Sequence, residues 1–520
     1  MSTAAESDKT LDIIKTIEKN SIDTDNHTTE SDKTIRKVEK DNIDTDKHTA
    51  ESDKIFAISL NNTTEKNNNN DTSTDADINN DKDHLDRIIS ERNSKLTTGD
   101  HGELENHDAE HQQSKFRILF SLLKKFIGVK DIVSLRISLP AQLIEPIGNL
   151  EYWNYNDRPD YFLCIDDSDD PLERMFAAIR WWYSKDLKFV KGKLIKPYNS
   201  ILGEQFLCHW EVTSPKFNKN GEIDPIEQAT GSSNEKKYRV TCLNEQISHH
   251  PPVSAFHYHC PEKGVIARGI DHIAAKFTGT CKSSHDFLYS NFTVKFAPGD
   301  QNKGVYLTLE KRDNEEYSMT HPTALLQGWL KGSLYVVVCD YCIIACPKTK
   351  LKAILEYKEE RWLGKPRFAI EGKIFKYDPE NDDIIKLKNV NEADVVAELI
   401  GSWRGQIKVT RVDTNQQKLL LDMDPIDPIP KKVKPLSKQG PLESRKVWQP
   451  VTTALLKRDY SLATKEKQSI EERQRQIAAE LKAKKEEHVP VYFHVPVVAG
   501  KPELKEAALE LLKAEITRNS

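Results

Sequence analysis

The stretch YRVTCLNEQISHHPPVSAFHYHC, residues 238–260, decides how this chain folds. Its flanks, YRVTCLNEQIS and VSAFHYHC, are rich in β-branched and aromatic residues and read as strands. Between them Pro251 and Pro252 bias His250 and Pro251 toward extended backbone and then interrupt the strand. Side chains alternate across a strand, so His249 and His250 serve one ligand only at a turn or strand end, which a double proline supplies. Each imidazole can donate hydrogen bonds and take a proton near neutrality, which suits a phosphate. The same residues also fit a structural turn with one buried histidine.

Further stretches of strand character follow at close intervals: FTVKFA (292–297), KGVYLTLEK (303–311), SLYVVVCDYCIIAC (333–346), KLKAILEYK (350–358) and IEGKIFKYD (370–378). Polar or Gly/Pro/Asn turns separate them, which predicts a large antiparallel sheet that curls into a barrel over about 134–410 and so hides its edges. Before it, DPLERMFAAIRWWYSKDL predicts a helix, capped by Asp170 with Pro171 in its first turn. After it, 459–488 lacks Gly and Pro and is rich in Lys, Glu, Gln and Ala, and PELKEAALELLKAEITR (502–518) is amphipathic; both predict helices. The fold class is α+β.

The chain has 520 residues, 30% of them charged, a net charge of −5 and a mean hydropathy of −0.64. That polarity points to an unfolded part. Residues 1–112 repeat themselves: ESDKT stands at 6 and 30, ESDK at 51, and NSIDTD at 20 returns as DNIDTD at 41. The units lack the apolar face that a solenoid needs, so a disordered polar tail is expected there. The acidic balance argues against a protein that coats nucleic acid. The N-terminus lacks a signal-like apolar run, no stretch approaches 18 uncharged apolar residues, and eight cysteines are sparse for this length, so a cytoplasmic protein with reduced thiols is expected.

The segment SKFRILFSLLKKFIGVKD begins the folded part. Phe116, Leu119, Phe120, Leu123 and Ile127 fall on one helical side with Lys115, Arg117, Lys124 and Lys125 elsewhere. It reads either as a helix docked on the core or as a mobile element that covers an apolar opening or touches a membrane surface. Lys196 lies in the turn-rich KLIKPYNSILGEQF, while Lys467, Glu471 and Arg475 are spaced i, i+4, i+8 along one helical stripe. Alone, that stripe fits a solvated face. Cys339, Cys342 and Cys346, and separately His257, His259 and Cys260, have partial metal-ligand spacing, but no second CxxC follows, so no metal is expected. The chain contains no GxSxG, phosphate-binding glycine loop or HExxH, which leans against an enzyme or a cofactor.

EQISHHPP resembles the signature of the oxysterol-binding protein-related family. SLPAQLIEPIGNLEYW, DPLERMFAAIRWW, KPYNSILGEQF, GVIARGIDHIAAKF and SWRGQIKV agree, and the resemblance covers about 114–495. It implies an incomplete β-barrel around a lipid tunnel, in a domain over 113–495. Within it a lid would span about 115–130 and C-terminal helices about 440–495, leaving 496–520 as a tail with an amphipathic helix. It further implies a non-enzymatic carrier that visits membranes transiently. Such a carrier exchanges a sterol, or another lipid such as phosphatidylserine, for phosphatidylinositol 4-phosphate. A lipid-dependent sensor that moves no lipid needs the same tunnel. Carried over by resemblance, the headgroup contacts are Lys196, His249, His250, Lys467, Glu471 and Arg475.

Overall fold

In the computed structural model, which describes residues 87–88, 141–191, 195–223, 236–278, 293–327, 335–358 and 367–517, the candidate strands join one antiparallel sheet. β1 (Gln205–Val212), β2 (Tyr238–His249), β3 (Pro252–Cys260) and β4 (Val265–Thr278) pair in chain order. β5 (Thr293–Pro298) follows β4, whereas β6 (Val305–Leu309) and β7 (Glu315–Met319) branch between β4 and β9. β8 (Thr323–Gln327) and β9 (Tyr335–Cys346) lead into β10 (Leu351–Tyr357), β11 (Ala369–Lys376), β12 (Val395–Ser402), β13 (Gln406–Arg411) and β14 (Gln417–Asp422).

Among the described residues the sheet has 14 strands and two free ends, β1 and β14. The chain beyond β14 returns to β1, pairing backbone at His209 with Lys432 and at Gln205 with Glu443. The result is an incomplete antiparallel barrel. Its described residues fall within the compact unit Ala76–Ser520. The repetitive segment, apart from Arg87 and Ile88, and the candidate cover helix with Phe116, Leu119, Phe120, Leu123 and Ile127 lie outside the described residues.

Helices α1 (Asn149–Tyr152), α2 (Pro159–Leu163), α3 (Pro171–Ser184) and α4 (Leu187–Val190) precede the sheet. The α3 start follows the sequence reading, with the Asp170 carboxylate accepting from the Leu172 N–H at 2.9 Å and Pro171 in the first turn. Met175, Phe176, Trp181, Trp182 and Tyr183 of α3 share the main core with Phe256, Tyr258, Leu355 and Leu399. Arg174 forks onto Glu315, Nε to Oε1 at 2.8 Å and Nη2 to Oε2 at 2.7 Å, which ties α3 to β7. Inside such a core each large side chain contributes roughly 1.5–3 kcal/mol of transfer free energy.

Four helices follow the sheet: α5 (Ser444–Val447), α6 (Gln449–Leu456), α7 (Tyr460–Lys484) and α8 (Glu506–Thr517). The first strands are buried on both faces. Phe206, Cys208, Cys242, Phe256 and Tyr258 face the main core, whereas Leu207, Leu243, Val253, Ala255 and Ile270 face outward and are covered by Phe493, Ala508 and Leu512. The segment after α7, including α8, is thus part of the outer wall. Double burial also explains why VSAFHYHC shows no simple polar alternation.

Register identifies the inner surface farther along. Ala275, Phe296, Ala324 and Val338 are successive cross-strand partners, as are Val294, Leu326 and Val336. These share the face of Val338, a main-core residue, while Lys276 and Lys295 stand exposed on the other side. One face of these strands is therefore an apolar wall.

Candidate functional site

The histidine pair sits at the tip of the β2–β3 hairpin, where His249 pairs with Pro252. Along most of β2 the odd positions face outward: Leu243 and Glu245 oppose the outward His257 and Ala255. Between Gln246 and Ser248 the register shifts, so Ser248 pairs with the outward Val253 and His249 moves to the inward set. A β-bulge thus re-aims His249, and Ile247 is its additional residue. The two rings then lie with centroids 4.6 Å apart and planes at 56°. Ser248 Oγ donates to Pro251 O at 2.8 Å and Gln246 Nε2 to Ser248 O at 2.6 Å, which stiffens the turn. His249 is half-buried and His250 exposed.

Lys196 lies on the loop that enters β1. Its side chain is exposed. Even so, loss of hydration among the neighbouring protein groups, with the charge of Lys467 nearby, pulls its ammonium down to about 8. The two lysines therefore sense one another although 271 positions separate them in the chain. Lys196 Nζ donates to Pro197 O at 3.0 Å, and Lys467, buried near the start of α7, pairs with Glu471 at 2.9 Å. Arg475 pairs instead with Glu472 at 2.9 Å and is largely exposed. Glu471, which by spacing alone could pair with either base, thus pairs with Lys467.

A second core joins the Lys196 loop to α7. Tyr198 stacks on Trp448 with centroids 4.6 Å apart, and both pack with Ile144, Ile201, Val451, Leu455 and Ala463. Beneath it the fully buried Glu204 accepts from Ile201 N at 2.9 Å, Ser444 Oγ at 2.6 Å and Trp448 Nε1 at 3.0 Å. Burial raises its pKa against those bonds. Gly203, at φ +77°, makes the turn next to it, and a Cβ there would lie 2.9 Å from His488. On the opposite face of β2, Glu245 accepts from Val491 N at 2.6 Å and Tyr492 N at 2.8 Å, clasping the chain that leaves α7. Sequence reasoning missed both carboxylates as supports. Their signal is a glutamate inside an apolar strand or at its entry, which needs a buried partner.

The rival cysteine cluster divides between environments. Cys342 and Cys346 are buried in the main core, where burial raises both thiols, while Cys339 is only partly buried. His257 is held down at about 3 by burial first, then by His259 and Arg268. Among the described residues no group of three or more His, Cys, Asp or Glu is placed to hold a metal, and no helix is long and apolar enough to cross a membrane.

The described residues thus offer a stiff histidine turn at the end of β2 and, separately, two lysines near one another on the loop entering β1 and on α7, on a barrel with an apolar wall. Comparison with known proteins gives a consistent result. The family model described as oxysterol-binding protein matches residues 118–454. Oxysterol-binding protein-like protein 1 of Schizosaccharomyces pombe is 39% identical, over 80% of this chain and 94% of that one. Oxysterol-binding protein-like protein OBPa of Candida albicans is 28% identical, over 73% of this chain and 76% of its own. Among solved structures, the Osh1 ORD domain in complex with ergosterol is similar in fold, with a TM-score of 0.55 at 18% identity, covering 86% of this chain and 99% of that one.

Proposed function

The chain belongs to the oxysterol-binding protein family, and on that premise we propose that it carries lipids between membranes, holding a sterol in the barrel and a phosphatidylinositol 4-phosphate headgroup at the histidine turn. The observation that carries this reading is the bulge that turns His249 inward beside an exposed His250. A structural hairpin has no need to re-aim that ring. Lys196 and Lys467, two like charges held near each other, favour an anion between them. His249, His250, Lys196 and Lys467 are the assigned phosphate contacts, with Glu471 orienting Lys467 and Arg475 on the next turns of α7.

The apolar wall supports the other half of the reading. A sterol hides several hundred Å² of apolar surface, worth roughly 10 kcal/mol, so it crosses water only inside a closed apolar space. That a protein of this fold was crystallised with ergosterol supports sterol as the second lipid. The carrier is non-enzymatic and touches membranes only in passing.

The test is exchange between two liposome populations, one with a fluorescent sterol and the other with phosphatidylinositol 4-phosphate. Countercurrent transfer of both lipids is expected. Binding of both without transfer would make the protein a lipid sensor, and transfer of phosphatidylserine in place of sterol would replace the second lipid.

A further inference from the structure

Val265, Ala267, Gly269, Asp271, Ile273 and Ala275 share the inward face of β4, since Val265 and Ala267 belong to the main core and Ile270 to the outer one. A carboxylate interrupts that apolar row. Tyr155, between α1 and α2, donates its hydroxyl to Asp271 Oδ1 at 2.5 Å. The Tyr155 ring lies 4.8 Å from Phe256 and 5.5 Å from His321, and His321 lies 5.2 Å from Trp182. Both ring nitrogens of His321 and Nε1 of Trp182 are buried without a hydrogen-bond partner among the described residues. Polar atoms left so inside a barrel point to water or ligand at that place.

The charges around Asp271 do not neutralise it. Burial pushes it up to about 6, opposed by the Tyr155 hydrogen bond and by Lys188 of α4. Burial, then Lys185, holds His321 down at about 3, so it stays neutral. Asp186, between α3 and α4, acts on Tyr155 in the same sense as Asp271.

We propose that Asp271 makes loading of the barrel proton-linked, an uncharged lipid entering as this carboxylate takes up a proton. This rests on the carrier reading above. An apolar ligand displaces the water that hydrates an ionised carboxylate, and an ion facing hydrocarbon is far costlier than a neutral acid. The empty protein releases that proton above pH 6 and must regain it to load. Asp271 therefore selects for uncharged ligand chemistry inside and leaves anions at the histidine turn.

The experiment measures binding of a fluorescent sterol and, separately, of an uncharged apolar dye between pH 5 and 8. Wild-type affinity for either probe should rise about tenfold from pH 7.5 to 6 and then level off, and Asp271→Asn should bind tightly with no such dependence. Melting temperature supplies a reading without ligand. With the folded value raised above the unfolded one, the native state holds the extra proton between roughly pH 4 and 6, so wild type loses stability as pH rises through that window. The advantage of Asp271→Asn should grow over the same range. Dye binding that follows pH without sterol binding would sustain the proton link and refute sterol as the cargo. Affinity that is flat with pH, a pH dependence that survives in Asp271→Asn, or no binding of either probe would overturn the proposal.

Discussion

At the scale of single residues the proposed headgroup site would rest on a few charged hydrogen bonds. Each contributes about 1.5–3 kcal/mol, so replacing His249 and His250 together with Ala should weaken phosphatidylinositol 4-phosphate binding by roughly a hundredfold or more. Sterol binding should hold, because it draws on the apolar wall, and titration with each lipid separately checks both halves. Equal loss of both lipids with a lower melting temperature would mean that the histidines only build the turn. Lys196 adds a pH signature. Its amine is charged below about 8 and neutral above, so affinity for the anionic headgroup should fall as pH rises from 7 to 9. In Lys196→Arg that fall should flatten, since a guanidinium stays protonated across the range; an unchanged profile would remove Lys196 from the site.

At the scale of elements β2, β3, β5, β6, β9, β10, β11, α3, α7 and α8 were legible, because β-branched runs, an Asp-Pro cap and a Gly-free charged stretch are local signals, whereas short strands such as β7, β8 and β14 carry no such run. His249, His250, Lys196 and Lys467 were legible as candidates, from chemistry and from family resemblance. What no local pattern revealed was the bulge at Ile247, because one additional residue reverses every later side chain without altering composition. Deleting Ile247 should therefore turn His249 outward and abolish headgroup binding, while Ile247→Ala, which keeps the residue count, should retain it. Binding that survives the deletion would show that the bulge does not aim the ring. The docking of the segment after α7 was equally hidden, since PELKEAALELLKAEITR announces an amphipathic helix but not the wall it covers. Phe493 is fully buried against Leu207, Leu243 and Val253 of that wall. Phe493→Ala should cost about 3–5 kcal/mol in urea unfolding, and a loss below about 1 kcal/mol would show the segment to be dispensable.

At the scale of the whole molecule the two halves of the site are not independent. β2 carries the histidine turn at its end, its inward residues help build the main core, and its outward Glu245 holds the chain leaving α7. On the proposed carrier reading, a headgroup fixed at that turn would send its acyl chains toward the same apolar wall that a sterol would cover. One interior would then serve two ligands, each excluding the other, and exclusion would convert binding into exchange: arrival of one lipid would supply the free energy to release its rival. The apparent sterol dissociation constant should accordingly rise about tenfold when phosphatidylinositol 4-phosphate is present at ten times its own dissociation constant. In the His249→Ala/His250→Ala protein that concentration should leave sterol binding nearly unchanged, because the competitor has lost its anchor while the interior is intact. Wild-type sterol affinity that ignores the phosphoinositide would mean that the lipids occupy separate places, and a carrier with separate places has no means of driving one lipid with the other.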